Sequence, residues 1–127
     1  MHDVQPPDVQ ALVEAVDSLA DRFRSLPQSK LLGSVPGHAS RAAAALDLAR
    51  RLAALALTVE GGPERDFPDA GAFAVGDQLA VAGHDLAAAL AALPEGAEVA
   101  LPDGATVVGE LLAGAVAAVR ETAALCA

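Results

Sequence analysis

The residues best suited to chemistry are Asp77, His84 and Asp85, titratable groups within the run from Phe67 to Leu86. A histidine beside carboxylates can carry a proton or contribute to a cation site. Spacing limits both uses. On a helix, side chains four apart lie together, whereas Asp77 and His84 are seven apart and separated by about 10.5 Å along the axis. One ion cannot bridge them. A metal site at Asp77, His84 or Asp85 needs ligands from a second helix, and no segment carries the His/Glu pair, three or four apart, that di-metal bundles use. Asp17 and Asp21, further up the chain, are the remaining source. The simpler expectation is a solvated polar stripe with no metal and no cofactor.

Other chemistry is thinner still. If the second and third helices form an antiparallel hairpin, His84 lies opposite about Leu48 and roughly 16 Å from His38, too far for a shared site. Gly33-Ser-Val-Pro-Gly37 faintly resembles an anion-binding loop but lacks the Gly-Lys-Ser/Thr ending of a phosphate loop. Cys126 has only Arg120 as a basic neighbour in sequence, so a buried thiol is expected, not a reactive one. Ser18, Ser25, Ser29, Ser34 and Ser40 fall on helix surfaces or connectors, none at a strand-to-helix nucleophile elbow.

The elements that must position these residues are helical. The chain has 127 residues, one domain by size, with alanine dominating its apolar fraction and only three Phe. A first helix starts with Asp8 as cap and ends near Leu26, with Leu12, Val16, Leu19 and Phe23 on its apolar stripe. Residues 27–37 read as a connector, with Leu31 and Leu32 folding over the end of the core. The second helix runs from about His38 to Glu60 and stops at Gly61-Gly62-Pro63, its apolar face centred on Leu48, Leu52, Leu55 and Val59. A third, capped by Asp69 and ended by Pro94, turns Val75, Leu79, Leu86 and Leu90 inward and Asp77, Gln78, Val81, His84 and Asp85 outward. Gly76 and Gly83 lie on one face of it, each about 1 kcal/mol worse than Ala in a helix interior. Close approach of a neighbouring backbone is the reason expected for them. Pro102-Asp103-Gly104 is a turn signal for a small hairpin, and the last helix covers about Val108 to Leu125, with Leu111, Leu112 and Val119 inward.

The expected fold is therefore all-α: a four-helix, up-and-down-like bundle over residues 8–127, with a short β-hairpin at about 98–108 and a flexible segment at 1–7. The second and last helices carry wider apolar arcs than one core face requires. Leu46, Leu57, Val108, Leu112 and Val119 are accordingly the expected interface residues of a homo-oligomer, most simply a twofold dimer, and a further protein partner is compatible with the same arcs. The formal net charge of −9, with one Lys, seven Arg and no Tyr or Trp, argues against nucleic acid. No stretch has the length and apolarity of a membrane span or the pattern of a secretory signal, so a cytoplasmic, soluble protein is expected. The function expected is a non-enzymatic interaction or structural protein; the alternative is a small ligand- or metal-binding protein, or an enzyme, using the polar stripe of the third helix.

Overall fold

The computed structural model describes residues 8–127. Four main helices pack together, with a short antiparallel hairpin before the last, as the sequence leads one to expect. The elements are α1 (Val9–Ser25), a single turn α2 (Gln28–Leu31), α3 (Arg41–Glu60), α4 (Val75–Ala91), β1 (Glu98–Leu101), β2 (Gly104–Val107) and α5 (Val108–Leu125). The flexible segment expected at 1–7 lies outside the described residues.

Local chemistry sets most of the boundaries. Asp8 caps α1 by accepting from the Ala11 amide at 2.8 Å, and Ser40 caps α3 by accepting from Ala43 at 3.0 Å. α3 therefore begins three residues after the expected His38, where an oxygen side chain can satisfy a free helical amide. It ends at Gly61, whose φ of +74° is the left-handed closure that glycine adopts without a Cβ clash. α4 starts later than expected, at Val75 after a 3-10 turn at Ala72–Ala74. Asp69 is not its cap. The Asp69 carboxylate accepts from the Gly71 amide two residues on, making a turn that holds the backbone out of the helix. The hairpin pairs Glu98 with Val107 and Leu101 with Gly104, around the expected Pro102-Asp103 turn.

The directions of the helices depart from simple alternation. α1 and α4 are antiparallel, since Arg24 meets Asp77 and, farther along, Asp17 meets His84. α1 and α5 end at one level, where Arg22 donates to the Ala123 carbonyl, and α3 begins there, where Arg41 donates to the Cys126 carbonyl. α4 also begins at that end, with Ala72 and Val75 lining a groove alongside Ala42 and Leu46 of α3. α3 and α4 thus run parallel. Their connection, residues 61–74, is an extended strap that doubles back along α3, and Arg50 at the middle of α3 donates to the Phe67 carbonyl at 3.0 Å. A 20-residue helix is about 30 Å long, and the strap can reach roughly 45 Å, so the return is sterically easy. The sequence of directions is up, down, down, up. We refer below to the α2 end, where α3 and α4 start, and the hairpin end, where they finish.

The core is one contiguous cluster centred on Leu12, Val16, Leu19, Leu48, Leu52, Leu79, Leu86 and Leu90. α4 packs most extensively, between α3 and α1, while α5 closes on α1 and more thinly on α3. Of the residues expected at the centre of the second helix's apolar face, Leu55 and Val59 are the exceptions: both are half-buried at the edge of the cluster. The buried face of α3 is centred on Ala45, Ala49, Leu52 and Ala56 instead. Three of these four are alanines, and small side chains let neighbouring helix axes approach. Leu31 is buried and Leu32 is not, so α2 inserts one leucine into the core and presents the next to solvent.

Candidate functional site

Two members of the polar stripe of α4, Asp77 and His84, lie along its seam with α1, and two glycines create that seam. A Cβ on Gly83 would stand 2.5 Å from Val16 Cγ1, and one on Gly76 would stand 2.9 Å from the Ala20 carbonyl oxygen. With no side chain at either position, the backbones close up, and flanking polar groups come within bonding reach. His84 Nε2 lies 2.7 Å from Asp17 Oδ1. Arg24 bridges two helices, with Nε and Nη1 donating to Asp77 and Asp21 at 2.8 Å each. These hydrogen bonds hold the Arg24 guanidinium still more firmly in its charged form.

The sequence candidates are therefore divided. Asp77 and His84 sit on one seam but in separate pairs, and Asp85 points to solvent without a polar partner among the described residues. Nowhere among those residues do three His, Cys, Asp or Glu side chains converge as metal ligands would. The His84 and Asp17 side chains are 51% and 45% exposed. At that exposure such a pair contributes on the order of 0 to 1 kcal/mol to stability.

Tertiary packing builds a second pair that sequence spacing did not signal. His38 is held before α3 by a two-bond bridge with Val35, and its Nδ1 lies 3.4 Å from Asp47 Oδ2, almost two turns into the helix. The pair borders a groove of about 490 Å³ that also takes in Ser40, Arg50 and Asp69. Ser40 Oγ is committed to capping α3 and is not poised as a nucleophile. His38 and His84 are indeed far apart, although not for the reason expected. In the parallel arrangement His38 precedes the first turn of α3, while His84 lies about 14 Å down α4 from Val75.

A third cluster surrounds the C-terminus of α5. That helix has no basic residue in its last turn, and its final carbonyls are met by Arg22 of α1 and Arg41 of α3. Arg41 also donates to the Lys30 carbonyl at 3.2 Å, tying α2 to the same point. Cys126 lies beneath, 2% exposed, and burial pushes its thiol pKa up against the weaker opposing pull of Arg41 and Arg22. It is the buried thiol the sequence suggested.

The expected interface residues require correction. Leu46, Val108, Leu112 and Val119 are buried in the chain's own core, and Leu57 is half-buried beside the strap. The wide apolar arc of α3 is used within the chain because α4, the strap and β1 cover different sides of it. Among the described residues, the large apolar side chains that do face solvent are Leu32, Phe73 and Val81, at 53%, 73% and 59% exposed. Leu32 and Phe73 share the α2 end, since Leu32 lines the same groove as Ala72. Among the described residues no helix is long and apolar enough to cross a membrane. The chain matches no family model and shows no significant similarity to a curated protein or to a solved structure.

Proposed function

We propose that this protein is a non-enzymatic helical module that associates with copies of itself. The observation that carries this reading is Phe73: one of three Phe in a chain without Trp or Tyr, 73% exposed at the bundle end where Leu32 is also exposed. An aromatic ring left in water, when Phe23 of the same chain is buried in the core, is free energy available to an interface. Sedimentation velocity across the micromolar range tests it. The wild-type coefficient should rise with concentration, and that of Phe73→Ser should not. A wild-type protein that stays monomeric throughout would refute the proposal.

A second reading is favoured by one observation, the 2.7 Å approach of His84 to Asp17 across α1 and α4. In it the seam binds a cation or a small ligand. Calorimetric titration with zinc should then show saturable binding that His84→Ala abolishes; heats no larger than those of dilution would end it.

A further inference from the structure

We propose that the strap, residues 61–74, is a releasable cover over α3: it lifts off while the bundle beneath stays folded. It leaves α3 at the hairpin end and joins α4 at the α2 end, and every residue from 61 to 71 is exposed except Phe67, which is half-buried. Residues 63–70 make no backbone–backbone hydrogen bond among the described residues, and Glu64, Arg65 and Asp66 make no ion pair among them. Beside the strap lies a groove of about 720 Å³ over Ala53, Ala54 and Leu57 of α3, so the strap spans that face without packing closely on it.

Two adjacent carbonyls hold it. Arg50 of α3 donates to the Phe67 carbonyl at 3.0 Å, and Gln78 of α4 donates to the Pro68 carbonyl at 2.8 Å. The Phe67 ring rests against the edge of the core. Arg50 is exposed, so water can replace its bond at little cost. Gln78 is compromised: its Oε1 is buried with no partner among the described residues, and turning the amide over would set that oxygen against the Pro68 carbonyl. An unmet buried acceptor costs about as much as an exposed hydrogen bond contributes, so the closed strap gains little from Gln78. Release lets the carboxamide turn to water. The ends permit the motion. Gly61, at the close of α3, and Gly71, with a φ of +98°, bound the extended stretch, and a Cβ at either would meet nothing within 4 Å. The reach of roughly 45 Å exceeds the ~30 Å length of α3, which leaves slack for the strap to bow away with both ends attached. Such local opening lies below global unfolding in free energy, and it uncovers the apolar α3 face that the closed strap withholds.

Trypsin cleavage after Arg65 reports the open strap, because a protease must seat several extended residues on both sides of the bond and α3 blocks one face of the closed form. The native Cys126 thiol, 2% exposed, reports opening of the bundle itself through its rate of labelling by a thiol reagent. Arg50→Met should raise the cleavage rate about fivefold while changing Cys126 labelling by less than about twofold. Gln78→Glu, which sets a carboxylate against the Pro68 carbonyl in place of the donor, should raise cleavage by roughly tenfold or more. Cleavage left unchanged by either substitution would mean that these two bonds do not hold the strap. Cys126 labelling that rises in Arg50→Met by the same factor as cleavage would mean that the strap opens only when the bundle unfolds. Either result overturns the proposal.

Discussion

Gly83→Ala sets two effects of known size against each other. On helix propensity alone, alanine should stabilise α4 by about 1 kcal/mol. The added Cβ, however, would lie 2.5 and 2.6 Å from the two Val16 methyls and 3.0 Å from Val16 Cβ. Carbon atoms rest about 3.5 to 4.0 Å apart, so α1 and α4 must separate by on the order of 1 Å. Val16 cannot turn aside, because it is fully buried and a branched side chain in a helix holds one χ1 rotamer. Overpacking of this kind costs about 1 to 3 kcal/mol, and two methyls place it at the upper end. The net expectation is a loss of about 2 kcal/mol. Urea denaturation followed by circular dichroism should show the midpoint falling by about 1 to 2 M with the slope unchanged. Val16→Ala makes room for the new methyl, so the double variant should be more stable than the sum of the two losses predicts, by about 1 to 2 kcal/mol. A midpoint that rises in Gly83→Ala would mean that propensity wins and that the helices do not meet as closely as described here.

The same denaturation assay serves three further cases. Leu86→Ala, at a fully buried position, should lose about 2 to 5 kcal/mol, whereas His84→Ala should lose less than about 1; equal losses would mean that α4 is rotated from its observed face. Arg41→Met keeps the stem but removes the donors to Cys126 and Lys30, and should lose about 1 to 2 kcal/mol, more than Arg51→Met on the exposed side of α3. The raised Cys126 pKa favours the protonated thiol in the folded state, so its contribution is full below the unfolded thiol pKa and declines as pH rises through the alkaline range toward the folded value. The wild-type midpoint should therefore fall more steeply with alkaline pH than that of Cys126→Ala, and parallel curves would contradict the burial effect.

Local sequence determined the elements. Asp8 and Gly61 mark helix ends through single hydrogen bonds or a single backbone angle, and Pro102-Asp103-Gly104 turns the hairpin the same way. The stripe of Leu79, Leu86 and Leu90 against His84 and Asp85 follows from the 3.6-residue period alone. Even the reason for Gly76 and Gly83 was legible, because two costly glycines on one face imply something pressed against them.

What only the tertiary structure decided is which surfaces meet. Periodicity gives each helix a face but not a neighbour or a direction, so an extended 61–74 and a tight turn were equally compatible with the pattern. The strap makes α3 and α4 parallel and covers part of the apolar arc that suggested an interface. Four of the five interface candidates are buried within the chain for that class of reason. Pairs such as His38 with Asp47, Arg24 with Asp77, and Arg41 with Cys126 depend on contacts outside the helical i, i+3 and i, i+4 pattern and left no spacing to read. Phe73, in the 3-10 turn before α4, is four residues from Asp77, so it falls on the outward face whether or not the helix reaches back to it. What only the tertiary structure decides is that its ring stays uncovered, since neither the strap nor α2 folds over it.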